Sequence, residues 1–385
     1  MNENSNWYEI EEAEENSIDY EIKLYDITSS PNDFNVKTYF DFIEAGMVII
    51  PTFQRNYVWD IKRASKLIES LIIGLPIPQI FLFGEGNNKY LVIDGQQRLL
   101  SVYYFIKGRF PRTDKRAEIR KKLIENGGIL DDKFLNDDTY YRTFKLSLDT
   151  NKSLNGKTYQ TLDEHQATFN FRTIRNISIK QNSPDTDSNS SMYEIFNRLN
   201  IGGMNLTTQE IRSSVFHSAF YDMLQKINLN SKWRELLRKE DLDLHLKDIE
   251  IILRIFALAL SNIEDDYKGN MKKFLNEFSF KAKSYNDEQV EKFQNMFNDF
   301  MDSCQELDQD SFVNSNKRFQ ISIFDAVFYV WAKEYLDGKT FVISKDKFDK
   351  MREDTDFKNN TEQNTTNSTV VKDRINIAKR YLIDN

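Results

Sequence analysis

Apolar positions in the first half of the chain fall into short runs and helical periods separated by turn residues. Val36–Glu44 reads as a helix, and Met47–Ile50 as an extended entry ended by Pro51. Ile61, Ala64, Leu67, Ile68, Leu71 and Ile72 then recur at helical spacing, with Asp60 placed to cap the helix and Gly74 to stop it. Gln79–Phe83 and Lys89–Ile93 flank a glycine-rich turn and predict two strands. Beyond the second, Leu99, Val102, Tyr103, Ile106 and Phe110 mark one face of a helix. Asp94, with Gln97 three residues on, fits a capping box at its start. Residues 111–135 are polar and helix-prone; Phe144–Leu148 and Phe171–Lys180 predict strands, with a helix around Tyr159–Phe169 between them.

The second half changes period. Asn182–Ser191 (NSPDTDSNSS) has the composition of a linker, and from Met192 on the pattern is helical. Met192, Ile195, Phe196 and Leu199 form a stripe, the run NIGGMNLT breaks it, and Thr207 with Glu210 makes a capping box for the next helix. Asp248–Leu260 is the most apolar helix; it is too short to span a bilayer, carries Glu250 and Arg254, and reads as a core helix. Lys358–Thr369 contains no apolar residue and predicts a disordered tether, before a last short helix over Val370–Leu382. The expected class is α+β. It divides into an acidic flexible arm (1–20), a mixed domain (21–185), a helical domain (192–350) and a polar tail with a terminal helix (351–385).

Composition agrees: 29 Phe and 18 Tyr against 13 Gly and 6 Pro describe a globular, helix-rich chain. The net charge of -8 excludes a polycation, so any contact with nucleic acid must rest on a local patch. The best candidate is residues 98–122, with nine bases and two acids, which reads either as a phosphate-facing surface or as a solvated helix face. Cys304 is the single cysteine, so no intrachain disulfide forms, and a cytoplasmic setting is expected; no signal peptide is visible.

Three polar clusters carry the candidate chemistry. In VIDGQQRLL, Asp94 and Gly95 end a strand and Gln96, Gln97 and Arg98 open a helix. A helix start offers free N–H groups to an anion, Gly95 permits close approach, and Arg98 is a forked donor suited to phosphate. The bland reading is a capped helix with an exposed arginine. In FQRNYVW, Gln54 and Arg55 stand between bulky anchors and could converge on the same anion, or Arg55 could simply pair with a carboxylate. In IFNRLNIGGMNLTTQEIR, Asn197, Arg198 and Asn200 precede Gly202–Gly203, and Arg212 follows. This is either a second wall of the site or a capped elbow between helices. No paired histidines stand at metal-ligand spacing, and no Ser/His or Cys/His pair is evident.

These clusters, in the order IIPTFQRNYVW, YLVIDGQQRLLSVYYF, IFNRLNIGGMNLTTQEIRSSVF and LKDIEIILRIFAL, resemble the N-terminal domain of GmrSD-type, modification-dependent restriction systems, over roughly residues 35–280. The resemblance implies a ParB- and sulfiredoxin-like fold, with binding and hydrolysis of a nucleoside triphosphate, assisted by Mg²⁺, at the DGQQR motif. On that basis Asp94, Gln97 and Arg98 are the catalytic candidates. Gln54, Arg55, Gly95 and Gln96 join them in binding the nucleotide. Asn197, Arg198, Asn200, Gly202, Gly203 and Arg212 form the wall from the second domain. DNA, modified or of phage origin, is the implied partner, beside a nuclease or effector protein; oligomers are compatible with it. Many relatives carry a C-terminal HNH nuclease, but His165, His217 and His245 are the only histidines and none lies in the last 140 residues, so no HNH domain is expected.

Three functions remain open at this stage. The first is an NTP-hydrolysing sensor or regulator of DNA attack. The second is a ParB-like DNA-binding or adaptor module without turnover, motivated by residues 98–122. The third is a metal-dependent endonuclease that uses carboxylates.

Overall fold

The computed structural model describes residues 7–9, 26–50, 57–86, 89–125, 131–182, 195, 207–243 and 245–384. The chain forms two compact units, one of Lys23–Val215 and one of Met1–Ile22 with Phe216–Asn385. The class is α+β: among the described residues, both sheets lie in the first unit and the named elements of the second are helices.

In the sheet unit, β1 (Ile27–Asn35) runs directly into α1 (Val36–Glu44), where the Asn35 side chain caps the helix by accepting from the Thr38 N–H at 2.7 Å. After β2 (Val48–Ile49) comes α2 (Ile61–Ile73). Its boundaries follow the sequence signals: Asp60 accepts from the Arg63 N–H, and Gly74 turns left-handed at φ 88°. β3 (Ile80–Gly86) and β4 (Lys89–Asp94) form an antiparallel hairpin that feeds α3 (Gln96–Ile106). The small ladder of β5 (Arg109–Pro111) and β6 (Tyr141–Thr143) brackets α4 (Arg116–Glu125) and α5 (Asp132–Leu135). Then follow α6 (His165–Phe171), β7 (Thr173–Gln181) and α7 (Thr208–Val215). The main sheet has the order β1-β7-β3-β4-β2, with β7 parallel to β3 and β2 parallel to β4.

Two strand assignments differ from expectation. β1 was hidden in ITSSPNDFN, a polar stretch with a proline. It pairs only with β7 at the sheet edge, where Pro31 and polar side chains are tolerated. The strand expected at Phe144–Leu148 is instead Tyr141–Thr143; the Phe144 and Leu146 amides donate to the carbonyls of Gly108 and Lys157, outside any ladder. The predicted capping box of Thr207 and Glu210 is present, with reciprocal bonds of 2.7 and 3.3 Å. The linker expected at Asn182–Ser191 lies outside the described residues apart from Asn182.

α3 is the centre of the sheet unit. Leu99, Val102, Tyr103, Ile106 and Phe110 are buried as the period predicts, and so are Leu100, Ser101, Tyr104 and Phe105. A helix apolar on all sides is an internal helix. Only its N-terminal end carries a cluster of polar side chains.

In the helical unit, α8 (Ala219–Ile227), α9 (Ser231–Leu236), α10 (Lys247–Leu260), α11 (Ile263–Asp266), α12 (Met271–Ala282) and α13 (Asp287–Ser303) lead to α14 (Ile321–Leu336). α15 (Lys345–Glu353), α16 (Thr355–Glu362) and α17 (Ser368–Lys379) follow. Among the described residues, two carboxylates are buried in arginine ion pairs here. Arg234 holds Asp248 at 2.7 Å. Asp325 is shared: Arg254 Nε donates to Oδ2 at 2.8 Å, while Arg374 donates Nε to Oδ1 at 3.1 Å and Nη2 to Oδ2 at 2.8 Å. No helix among the described residues is long and apolar enough to cross a membrane. Cys304 is buried, and burial pushes its thiol up to about 12.

The predicted disorder of Lys358–Thr369 is overturned. This stretch ends α16, turns and begins α17, with Thr361 and Thr365 buried. Its burial uses hydrogen bonds rather than apolar area: the Thr361 carbonyl accepts from Ser322 Oγ at 2.8 Å, and the Thr365 carbonyl accepts from Arg374. The arm also has a docked part. Phe319 N donates to the Trp7 carbonyl at 2.9 Å, Glu9 N donates to the Phe319 carbonyl at 3.0 Å, and Trp7 Nε1 donates to Asp243. Paired aromatics, Trp7 and Tyr8, supply the anchor that acidic composition concealed; most of residues 1–20 lie outside those described.

Asp325→Ala leaves two buried guanidinium groups without their anion and should destabilise the chain by about 3–5 kcal/mol in denaturant titration. Deleting residues 358–369 should lower the melting temperature by several degrees, because it removes the carbonyls that hold Ser322 and Arg374.

Candidate functional site

β3 and β4 set up the DGQQR turn. Asp94 is the last residue of β4, and the chain reverses at Gly95 with φ 99° before α3 begins at Gln96. Gly95, not Asp94, therefore occupies the cap position, and no side chain caps the helix. The expected capping box of Asp94 and Gln97 is absent because each side chain is engaged elsewhere. Asp94 Oδ2 accepts from Arg98 Nη2 at 2.7 Å. Gln97 is buried, and its Oε1 accepts from the Val58 N–H at 3.0 Å.

Gly95 is fixed by its backbone conformation and by β3. A Cβ there would sit 2.8 Å from Ile80 Cγ1 and 3.1 Å from Arg98 Nη2. The glycine thus lets β3 pack against the turn, a different reason from the close approach of a ligand.

Arg98 is not the exposed arginine of the bland reading. Its side chain is only 13% exposed, and Nη2 also donates to the Gln79 carbonyl at 3.2 Å. Its Nε is buried with no hydrogen-bond partner, as is Gln96 Oε1. Asp94 is half exposed, so one carboxylate stands open beside two unsatisfied polar atoms.

Gln97 and its neighbours pin the segment that follows the first Gln-Arg box. Tyr57 OH and Ser101 Oγ share a buried hydrogen bond of 2.7 Å, and Ser101 Oγ donates to the Gln97 carbonyl. Burial raises the Tyr57 phenol above its ordinary value, partly offset by Ser101. Arg116 donates to the carbonyls of Val58 and Trp59 at 3.0 and 2.6 Å, and burial pushes its pKa down. Sequence reasoning had given Ser101 and Arg116 no such role. Ser101 stands out as the one small polar side chain in the apolar and aromatic run Leu99–Ile106, one turn after Gln97.

The other expected residues separate. Gln54 and Arg55 lie outside the described residues, as do Asn197, Arg198, Asn200, Gly202 and Gly203. Arg212 is in α7, buried, and donates to Gln209 Oε1. The basic stretch is largely engaged. Lys107 meets Glu44 and Asp132, Arg109 meets Asp138, Lys115 meets Glu118, and Arg112 donates to the Asp138 carbonyl. With Arg98 and Arg116 also paired and Arg120 buried, Lys121 and Lys122 are what remains of a phosphate-facing surface. Among the described residues, no group of three or more His, Cys, Asp or Glu is placed to hold a metal ion. His165 opens α6, His217 faces Asp222 at 3.1 Å, and His245 precedes α10.

An α+β domain that presents an Asp-Gly-Gln-Gln-Arg turn at the mouth of a buried helix, followed by a helical unit, defines the class. Residues 36–217 match the model of the GmrSD restriction endonuclease N-terminal domain, and this part of the chain belongs to that family. No curated protein and no solved structure matches the chain.

Gly95→Ala should cost about 1–3 kcal/mol through the left-handed backbone alone, and shrinking Ile80 to Ala in the same chain should leave that part of the loss in place. Gln97→Ala should speed hydrogen exchange at the Val58 amide by about tenfold, through loss of roughly one buried hydrogen bond, while Leu99 and its neighbours keep their protection.

Proposed function

We propose that the turn at Asp94–Arg98 binds a nucleoside triphosphate and that the chain works as a nucleotide-dependent sensor or regulator in a restriction-type defence system directed at DNA. The observation that carries this is the pair of buried, unsatisfied atoms, Gln96 Oε1 and Arg98 Nε, at the start of an uncapped eleven-residue helix. Buried polar atoms without partners are costly unless something binds them. A phosphate provides acceptors for the guanidinium, and a base or ribose provides a donor for the Gln96 amide oxygen. The family supports the defence setting and DNA as target.

Each residue then has a distinct part. Arg98 turns from Asp94 to the phosphates, which frees the carboxylate. Asp94 becomes available to orient a water or to contribute one oxygen to a Mg²⁺ held mainly by the nucleotide phosphates, the usual mode for that ion. A single carboxylate fits that mode and not an all-protein cage. Gln97, committed to Val58, acts by holding Tyr57–Trp59 rather than by touching the nucleotide. Turnover therefore rests on Asp94 among the candidates, and binding without turnover is the adaptor reading.

Arg98→Ala should weaken NTP binding by about tenfold to a hundredfold, the worth of a charge-assisted contact, while the chain still folds cooperatively with a small drop in melting temperature from the lost contacts to Asp94 and the Gln79 carbonyl. Calorimetry with each NTP and Mg²⁺ measures it. Unaltered affinity would remove the turn from the site. Phosphate release that is lost in Asp94→Asn while binding persists supports hydrolysis; binding with no release from the wild type, with or without DNA, leaves the adaptor function.

A further inference from the structure

The helical unit holds a pocket of about 280 Å³ bounded by α11, the C-terminal half of α14, and α17. Its walls divide by chemistry. Ile263, Val330 and Ile375 are buried and give an apolar floor, and the half-buried Tyr329 ring lies beside it. Lys333, Lys372 and Lys379 line the same pocket.

Three carboxylates also line it, and two are occupied. Lys372 holds Glu264 at 2.5 Å, and Lys339 holds Glu334 at 3.0 Å. Asp337 lies close enough to favour the charged form of Lys333 but forms no ion pair with it. Among the described residues, Lys333 and Lys379 therefore have no carboxylate partner.

Lys333 is the informative one. It sits half buried with its ammonium 5.1 Å from the Tyr329 ring centroid, and burial lowers its pKa. Both lysines occupy the last turns of their helices, where the dipole favours a cation whatever else is present. That explains why lysines stand there. It does not explain why one folds its ammonium over a ring at the edge of a cavity, where desolvation opposes charge and an anion would restore it.

We propose that this pocket binds a small organic anion joining a planar ring to one phosphate, the chemistry of a nucleoside monophosphate. The ring lies on Tyr329 and the aliphatic floor, and the phosphate sits between Lys333 and Lys379. The Asn376 amide, on the same wall, can meet the ring edge. Size selects the monophosphate: the pocket is at the lower limit of ligand cavities, which begin at roughly 300 Å³. The site lies wholly in the helical unit and does not depend on the turn at Gly95.

The test is calorimetry of the full chain with AMP, GMP, CMP and UMP, and with inorganic phosphate, in wild type and in Arg98→Ala. At least one monophosphate should bind once per chain in both backgrounds. Lys333→Gln, Lys379→Gln and Tyr329→Leu should each weaken it by about tenfold or more. No binding by any monophosphate overturns the proposal, as does full affinity in the Lys333→Gln/Lys379→Gln double variant. Binding lost only in Arg98→Ala assigns the ligand to the turn and overturns the pocket. Inorganic phosphate that binds as tightly as the monophosphates overturns the ring. If a variant fails to fold, amine acylation of the wild type decides: bound monophosphate should slow labelling of Lys333, and equal labelling with and without ligand overturns the site.

Discussion

The sheet unit depends on one constraint: α3 is buried on every side, so its polar functions must be gathered at its entrance. From Leu99 to Ile106, Ser101 is the only side chain that is not apolar or aromatic. An internal helix cannot carry charge along its length at tolerable cost. What chemistry it offers is concentrated at Gln96, Gln97 and Arg98, and the left-handed turn at Gly95 aims that end past Ile80. A change to α3 packing is therefore a change to the turn.

The same arrangement explains how Gln97 and Arg116 shape a segment far from them in sequence. Gln97 faces inward because its neighbours do, and its amide oxygen is satisfied by the Val58 N–H. Arg116, from α4, closes the carbonyls of Val58 and Trp59 from the other direction. The stretch after the FQRN box is thus held by side chains on both its donors and its acceptors, as befits a loop that must keep one conformation without strand partners.

Much of this was legible in the sequence where local rules and tertiary context agree. The Asp60 cap, the Gly74 stop, the β3–β4 hairpin and the Thr207–Glu210 box are short-range chemistry and stand as read. Three of the misreadings share a cause, polar residues satisfied by partners remote in sequence. β1 is polar because it lies on an edge; Thr361 and Thr365 are buried through carbonyls that bind Ser322 and Arg374. Asp94 looked like a cap because its spacing to Gln97 is right, but Arg98 and Val58 compete for the two side chains. The candidate turn was legible as residue types in order; which atoms were left unsatisfied was not, since that depends on the completed packing around Ile80 and Gln79.

Trp59 has a use that follows from its position. The chain has four tryptophans, and of these only Trp59 falls between Lys23 and Val215. Its ring lies under the Arg63 guanidinium at 4.6 Å, and its carbonyl is bound by Arg116. Trp233 and Trp331 are buried in the helical unit, and Trp7 is anchored there by Asp243. Replacing those three with Phe would leave Trp59 as the single tryptophan of the whole chain, two residues from Tyr57 and next to the segment that Gln97 holds. Its emission would then follow the state of that loop in real time, without an added dye.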